Sequence, residues 1–333
     1  MADDRPLVAV TFRMEPERVA ELFGDEVRAR SLAGLPEEER ARTVAAADAL
    51  LVWNWGRELR RGEGPTLGAR LVQLMSAGAD QLPFDQLPPK AIVASNVGAY
   101  AEPMAEHALA MALALLKQLP QRHAELAEGV FDQARYTHWL RGAVCGVLGF
   151  GGIGKATGRL MRAVGLRVHA INTSGRTDEP VDFVGTLDDL DAVLAASDVL
   201  VIALPLTRRT HGLIGARELG LMKPTAVLVN VARGAIVDEA ALYEHLRTHP
   251  DFSAGIDTWW VEPFGSGEFR VDHPFFELPN LLGSPHNSGV LPGVMDEATR
   301  RAAANVLRFL RGEPVSGILQ PEDYTGARQA ELR

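Results

Sequence analysis

The segment Cys145-Gly-Val-Leu-Gly-Phe-Gly-Gly-Ile-Gly-Lys155 restricts the possible folds more than any other part of this 333-residue sequence. A short apolar run leads into Gly149-x-Gly151-x-x-Gly154, and a helical pattern (Ile153 to Val164) and a second apolar run (Leu166 to Ile171) follow. A strand, a glycine turn, a helix and a strand in that order form the fingerprint of a dinucleotide-binding unit. Gly149 permits the tight turn, Gly151 lets the backbone approach a diphosphate, and Gly154 lets the helix pack close to the strand. The helix start, with unpaired N–H groups and the positive end of its dipole, suits phosphate.

The stretch after the second strand predicts which dinucleotide. A carboxylate there would bond a ribose 2′-hydroxyl, but this chain has Ile171-Asn172-Thr173-Ser174-Gly175-Arg176 and no acid before Asp178. Asn172, Thr173 and Ser174 offer hydrogen bonds, and Arg176 offers a guanidinium to a 2′-phosphate. The reading is NADP(H), with NAD(H) as the alternative; the bland reading is a polar loop with a solvated arginine.

The length allows two domains with sizeable cores. A formal net charge of −9 argues against a nucleic-acid surface. The basic run Arg57–Arg61, interrupted by Glu58, reads as a solvated face or loop. The single cysteine, Cys145, sits in an apolar strand and reads as a packing residue. One cysteine allows no internal disulfide, which fits a cytoplasmic protein. The acidic start Met1-Ala-Asp-Asp-Arg5 is unlike a signal peptide, and the apolar stretch Ala105–Leu116 is too short to span a bilayer, so no membrane partner is expected. No cluster of cysteines or histidines has metal-binding spacing, so no metal is expected.

Strands are predicted at Leu7–Phe12, Ala49–Trp53, Leu71–Met75 and Ile92–Ala94, with a helix at Pro16–Phe23. A long apolar helix is predicted at Ala101–Leu119, buried between domains. Six further strands follow, at Val144–Leu148, Arg167–Ile171, Val199–Ala203, Ala226–Asn230, Ala254–Asp257 and Asn280–Gly283, with helices between them. The acid pair Asp188-Asp189 suits a helix start. A final helix, Val294–Arg311, is expected to pack back on the first domain. The fold class expected is α/β, two Rossmann-like doubly wound parallel sheets, with the cofactor domain (99–290) inserted into a split substrate domain (1–98 plus 291–333).

Three residues of complementary chemistry follow three successive strands: Arg233, Glu262 and His286. Ligands of open parallel sheets bind beyond the carboxyl ends of strands, so all three belong to the edge that holds the cofactor. Singly, each has a bland reading as a salt bridge, a loop acid or a turn histidine. The right types on three successive strand ends point to one site. His107, on the apolar helix, reads as a satisfied core or interdomain histidine.

These motifs, with Ser76-Ala-Gly-Ala-Asp80, Asn96-Val-Gly-Ala-Tyr-Ala-Glu-Pro-Met-Ala-Glu-His107, Leu204-Pro-Leu-Thr207, Asn230-Val-Ala-Arg-Gly-Ala-Ile-Val-Asp238 and Pro285-His-Asn-Ser-Gly289, resemble the D-isomer-specific 2-hydroxyacid dehydrogenases from about Leu71 to Gly289. The NADP-preferring glyoxylate or hydroxypyruvate reductases are the members suggested. The resemblance implies hydride transfer between NADP(H) and a 2-keto or D-2-hydroxy acid. It implies that Arg233 clamps the substrate carboxylate, that His286 is the acid/base group and that Glu262 pairs with His286. It implies cofactor contacts from Gly149, Gly151, Gly152, Ile153, Gly154, Asn172, Thr173, Ser174, Arg176, Leu204, Pro205, Val231, Ala232, Asp257 and Ser288. Asp257 would take the nicotinamide carboxamide. Substrate contacts fall to Ala77, Gly78 and Trp53. The resemblance also implies a homodimer with the apolar helix at or near its interface, and domain closure on hinges near 97–101 and 289–293. Two features depart from the family pattern: the missing acidic ribose ligand, and the bulky Trp259 and Trp260 beside Glu262, for which pocket lining and loop packing both stand. The alternative function is a nucleotide-sensing binding or scaffold protein of the same fold with vestigial catalysis.

Overall fold

The computed structural model describes residues 3–324. They form two compact units, residues 3–99 with 291–324 and residues 100–290.

The first unit opens with β1 (Leu7–Val10), α1 (Pro16–Phe23), β2 (Arg28–Ser31), α2 (Glu37–Ala46), β3 (Ala49–Val52), the single-turn α3 (Trp55–Glu58) and α4 (Glu63–Thr66), β4 (Leu71–Leu74) and β5 (Ile92–Ala94). The second contains α5 (Ala101–Leu116), α6 (Leu119–Ala127), β6 (Val144–Leu148), α7 (Gly152–Ala163), β7 (Arg167–Ile171), β8 (Phe183–Gly185), α8 (Leu190–Ala196), β9 (Val199–Ile202), α9 (Ala216–Leu221), β10 (Val227–Asn230), α10 (Glu239–Thr248), β11 (Ser253–Ile256), α11 (Pro263–Ser266) and β12 (Leu281–Gly283). The chain then returns to the first unit as α12 (Val294–Leu310), which packs on β3, β4 and α1.

Both sheets are wholly parallel, in the orders β2-β1-β3-β4-β5 and β12-β11-β10-β9-β6-β7-β8. Their central strands are uniformly apolar because helices cover both faces. β6, β9 and β10 are buried along their whole length, with Val147 opposite both Ala170 and Val201. Two strands escaped the sequence reading, so the second sheet has seven strands rather than six. β8 is a three-residue edge strand, and β2 alternates exposed and half-buried residues at an edge. Edge strands lack the continuous apolar run that marks a buried one.

The predicted helix Ala101–Leu119 stops at Leu116, because Gln118 adopts a left-handed conformation (φ 52°) and a new helix starts at Leu119. Ala105, Ala108, Met111, Ala112 and Leu115 of α5 are buried within its own unit, where it packs on α7, β10 and β11. Asp189 belongs to a capping box: its carboxylate accepts the Thr186 N–H (2.9 Å), a local bond that adds to the dipole effect.

Candidate active site

The glycine turn has the geometry its sequence requires. Gly149 sits at φ +94°, and a side chain there would meet the Ala203 carbonyl at 2.6 Å. At Gly154 a Cβ would lie 2.2 Å from the Gly149 carbonyl oxygen, so only glycine allows α7 this close to the turn. Gly151 faces open space and is the N-cap of α7, with no side chain capping the helix; Gly152 and Ile153 form its first turn. The leading N–H groups of a twelve-residue helix are thus left to an anion. The following segment is a self-bonded turn. The Asn172 amide donates to the Arg176 carbonyl (2.8 Å) and accepts from the Ser174 N–H (3.1 Å), so Asn172 shapes the loop. Thr173, Ser174 and Arg176 are exposed, and Arg176 makes no ion pair among the described residues. Leu204 and Pro205 follow β9; Val231 and Ala232 follow β10 with their side chains buried, so the main chain is what these two can offer.

The polar centre of the second unit lies beyond β10, β11 and β12. At the end of β10, Asn230 braces the loop that follows: its amide donates to the Arg233 carbonyl (2.9 Å) and accepts from the Ala232 N–H (3.0 Å). The Arg233 guanidinium is half-buried and touches the Ala232 carbonyl (2.7 Å). Past β11 comes Asp257, fully buried. Its Oδ1 accepts from the Ser284 hydroxyl (2.5 Å) and the Asn287 N–H (3.1 Å), and its Oδ2 accepts the Ser288 N–H (3.2 Å). Burial pushes this carboxyl upward, but bonds from Ser284, Ser288 and Asn287 outweigh it and hold the group below its ordinary value. Asp257 is therefore a carboxylate.

His286 is the geometric focus. Its backbone lies in the left-handed region (φ 51°), a strained place for a residue with a Cβ. The strain is held by its N–H, which donates to the Asp257 carbonyl (2.8 Å), and by its ring. Nδ1 lies 2.8 and 3.0 Å from the two oxygens of Glu262, whose Oε1 also accepts the Trp259 N–H (2.8 Å). An ionised carboxylate only accepts, so Nδ1 carries hydrogen and Nε2 is the nitrogen left for chemistry. Phe264 stands edge-on to the imidazole at 5.4 Å.

The tryptophans beside Glu262 pack the loop. Trp259 is buried against Phe269 and Phe276, with its indole N–H on the Ser284 carbonyl (2.8 Å). Trp260 stacks on Phe275 and donates to the Val237 carbonyl (2.7 Å). Cys145 is buried, and burial pushes its thiol up to about 12, which suits packing and not nucleophilic attack. The structure therefore brings Arg233, Asp257, Glu262, His286 and Ser288 to one sheet edge. Trp53, Ala77 and Gly78 belong to the first unit, past β3 and β4. Sequence reasoning missed Ser284 and Asn230; their only signal is position, at a strand end beside a titratable residue.

This edge fits a dinucleotide on three counts: the uncapped α7 terminus, the exposed Arg176, and the Ser288 hydroxyl, buried beside Asp257 without a hydrogen-bond partner. Comparison with known proteins agrees. Residues 109–288 match the model of the D-isomer specific 2-hydroxyacid dehydrogenase NAD binding domain. The chain belongs to that dehydrogenase family. It is 31% identical over 314 residues to a D-3-phosphoglycerate dehydrogenase of Mycobacterium tuberculosis, covering 92% of this chain and 57% of that protein. It is 26% identical to a glyoxylate reductase of Thermococcus litoralis, covering 87% of both. Among solved structures it resembles a D-isomer specific 2-hydroxyacid dehydrogenase of Xanthobacter autotrophicus, in complex with NADPH and MES, at 26% identity and TM-score 0.77, over 96% of this chain and 99% of that one. The chain spans little more than half the length of the phosphoglycerate dehydrogenases it matches (56% and 57%).

Proposed function

We propose that this chain is a reductase of 2-keto acids to D-2-hydroxy acids that prefers NADP(H), of the glyoxylate or hydroxypyruvate reductase kind. The observation that carries this reading is the double contact of His286 Nδ1 with Glu262, which aims Nε2 outward. In reduction His286 Nε2–H gives a proton to the carbonyl oxygen, and in oxidation the neutral nitrogen takes it back. Glu262 fixes the tautomer and balances the imidazolium charge. Arg233 holds the substrate carboxylate and polarises the keto oxygen. Ala77 and Gly78 contribute main-chain N–H groups to the carboxylate, and Trp53, 51% exposed, offers an apolar wall to the substrate side chain. The bound cofactor supplies the hydride. The α7 turn from Gly149 to Gly154 receives its diphosphate, Leu204, Pro205, Val231 and Ala232 flank it, and Asp257 with Ser288 receives the carboxamide. Thr173, Ser174 and Arg176 receive a 2′-phosphate, which supports NADP(H) over NAD(H).

The protein works as a homodimer in this reading, with the region of α5 and α6 at or near its interface. Leu119, Leu126, Phe131, Tyr136 and Trp139 are exposed on α6 and the segment after it, Tyr136 and Trp139 at 94% and 76%. Apolar surface of this density suits a second copy of the chain. The single buried cysteine fits a reducing compartment such as the cytoplasm.

Oxidation of NADPH and NADH, followed with glyoxylate, hydroxypyruvate and longer aliphatic and aromatic 2-keto acids, tests the activity. The expected result is turnover with at least one acid and a lower KM for NADPH. Dinucleotide binding with no turnover on any acid would favour the binding-protein alternative. For the assembly, light scattering should give a dimer mass that Trp139→Arg reduces to a monomer.

A further inference from the structure

His107 and Ser284 have no part in the reaction as derived, yet they form a polar chain that ends on Asp257. His107 Nε2 lies 3.0 Å from Ser284 Oγ and 3.6 Å from Asp257 Oδ1. The single hydroxyl hydrogen of Ser284 is committed to Asp257 Oδ1 at 2.5 Å. Its oxygen therefore accepts from His107, which makes Nε2 the hydrogen-bearing nitrogen. Every donor in the chain points toward Asp257.

The placement of His107 follows from the packing of α5 on β11. Gly255 of β11 lies directly under Met111, where a Cβ would approach the Met111 Cβ to 3.2 Å. One helical turn is about 5.4 Å and two strand residues about 6.6 Å. The close approach at Gly255 thus sets the residue one turn earlier, His107, over the residue two positions later, Asp257. At Asp257, Oδ1 takes both the Ser284 hydroxyl and the Asn287 N–H, whereas Oδ2 takes only the Ser288 N–H. Oδ2, with a single main-chain donor, is then the carboxylate oxygen left to accept from a carboxamide N–H.

We infer that His107 is a positioning residue for the nicotinamide end of the cofactor site: through Ser284 it fixes the Asp257 carboxylate so that Oδ2 faces the carboxamide. This rests on the dinucleotide reading above. The His286 N–H goes to the Asp257 main-chain carbonyl and is separate from this side-chain chain.

Two ligands separate this role from simple structural support. NADPH carries the nicotinamide, whereas 2′-phospho-ADP-ribose is the same molecule without it. Calorimetric titration of both onto the full chain is the measurement. His107→Leu should weaken NADPH binding roughly tenfold, the scale for hydrogen bonds to charged groups, and leave 2′-phospho-ADP-ribose unchanged. Ser284→Ala should do the same. The double variant should lose no more than either single one, because both cut one chain. His107→Gln, which keeps an N–H donor, should restore most of the affinity. Equal weakening of the two ligands, additive losses, or unchanged NADPH affinity in His107→Leu would each overturn the inference. Wild-type protein that binds neither ligand would instead overturn the dinucleotide reading, and this inference with it.

Discussion

Beyond the strands of the five-stranded sheet, polar side chains serve mostly the main chain around them. The Asn96 amide donates to the carbonyls of Met75 (3.2 Å) and Ala298 (2.9 Å) and the Ser76 hydroxyl to that of Gly78 (2.6 Å), while the Glu58 carboxylate accepts the Thr11 hydroxyl and the Trp53 N–H (3.1 Å). Beyond the seven-stranded sheet, titratable groups meet one another: Glu262 with His286, and Asp257, through Ser284, with His107. Both sheets are parallel, with helix-covered cores. Architecture therefore does not decide where the chemistry falls. What differs is the partner of the carboxylate: Glu58 meets a hydroxyl and a main-chain N–H, whereas Glu262 meets an imidazole, a pair that can hold and pass a proton.

Substitutions can break this contrast, beginning with the largest effect. His286→Ala should lower kcat by roughly 10²–10⁴-fold, the usual worth of a general acid, while dinucleotide affinity survives in a binding titration. Near-normal turnover would remove the distinction between the two edges. A smaller change is expected at the ribose loop. Arg176→Ala should raise KM for NADPH about tenfold and leave KM for NADH unchanged, since one charge-assisted contact is at stake. Equal changes with both cofactors would mean that Arg176 does not read the 2′-phosphate.

The smallest effect sharpens the contrast with a histidine outside the site. His245, on α10, is packed edge-to-face with Phe252 and stacked on His249; burial, then the neighbouring His249, pushes it down to about 4. It is neutral in the fold, whereas the unfolded chain takes up a proton near 6.5. The unfolded state binds more protons between these values, so stability is full above about 6.5 and declines as pH falls toward about 4. His245→Asn should flatten that part of a melting-temperature profile without altering turnover at neutral pH. A wild-type profile equally flat would show that the ring is not buried neutral.

The strand, turn and helix from Val144 to Ala163 were legible because their signals are local: an apolar run, glycines at fixed offsets, a helical stripe. Arg233, Glu262 and His286 were legible because each follows a strand in a sheet whose carboxyl edge is the ligand edge. β2 and β8 were not, since edge strands need little apolar sequence. For Trp259 and Trp260 the sequence left pocket and packing level, and the partners of their indole N–H groups decide for packing.

The sequence by itself determined the parallel α/β class, the glycine turn and the three residues at the strand ends, because periodicity and turn chemistry act over a few neighbours. Tertiary structure alone decided that apolar surface appears on α6 and the segment after it, and that His107 stands over Asp257. The placement of His107 depends on the close approach of one helix to one strand at Gly255, a contact between residues far apart in the chain that no local pattern encodes.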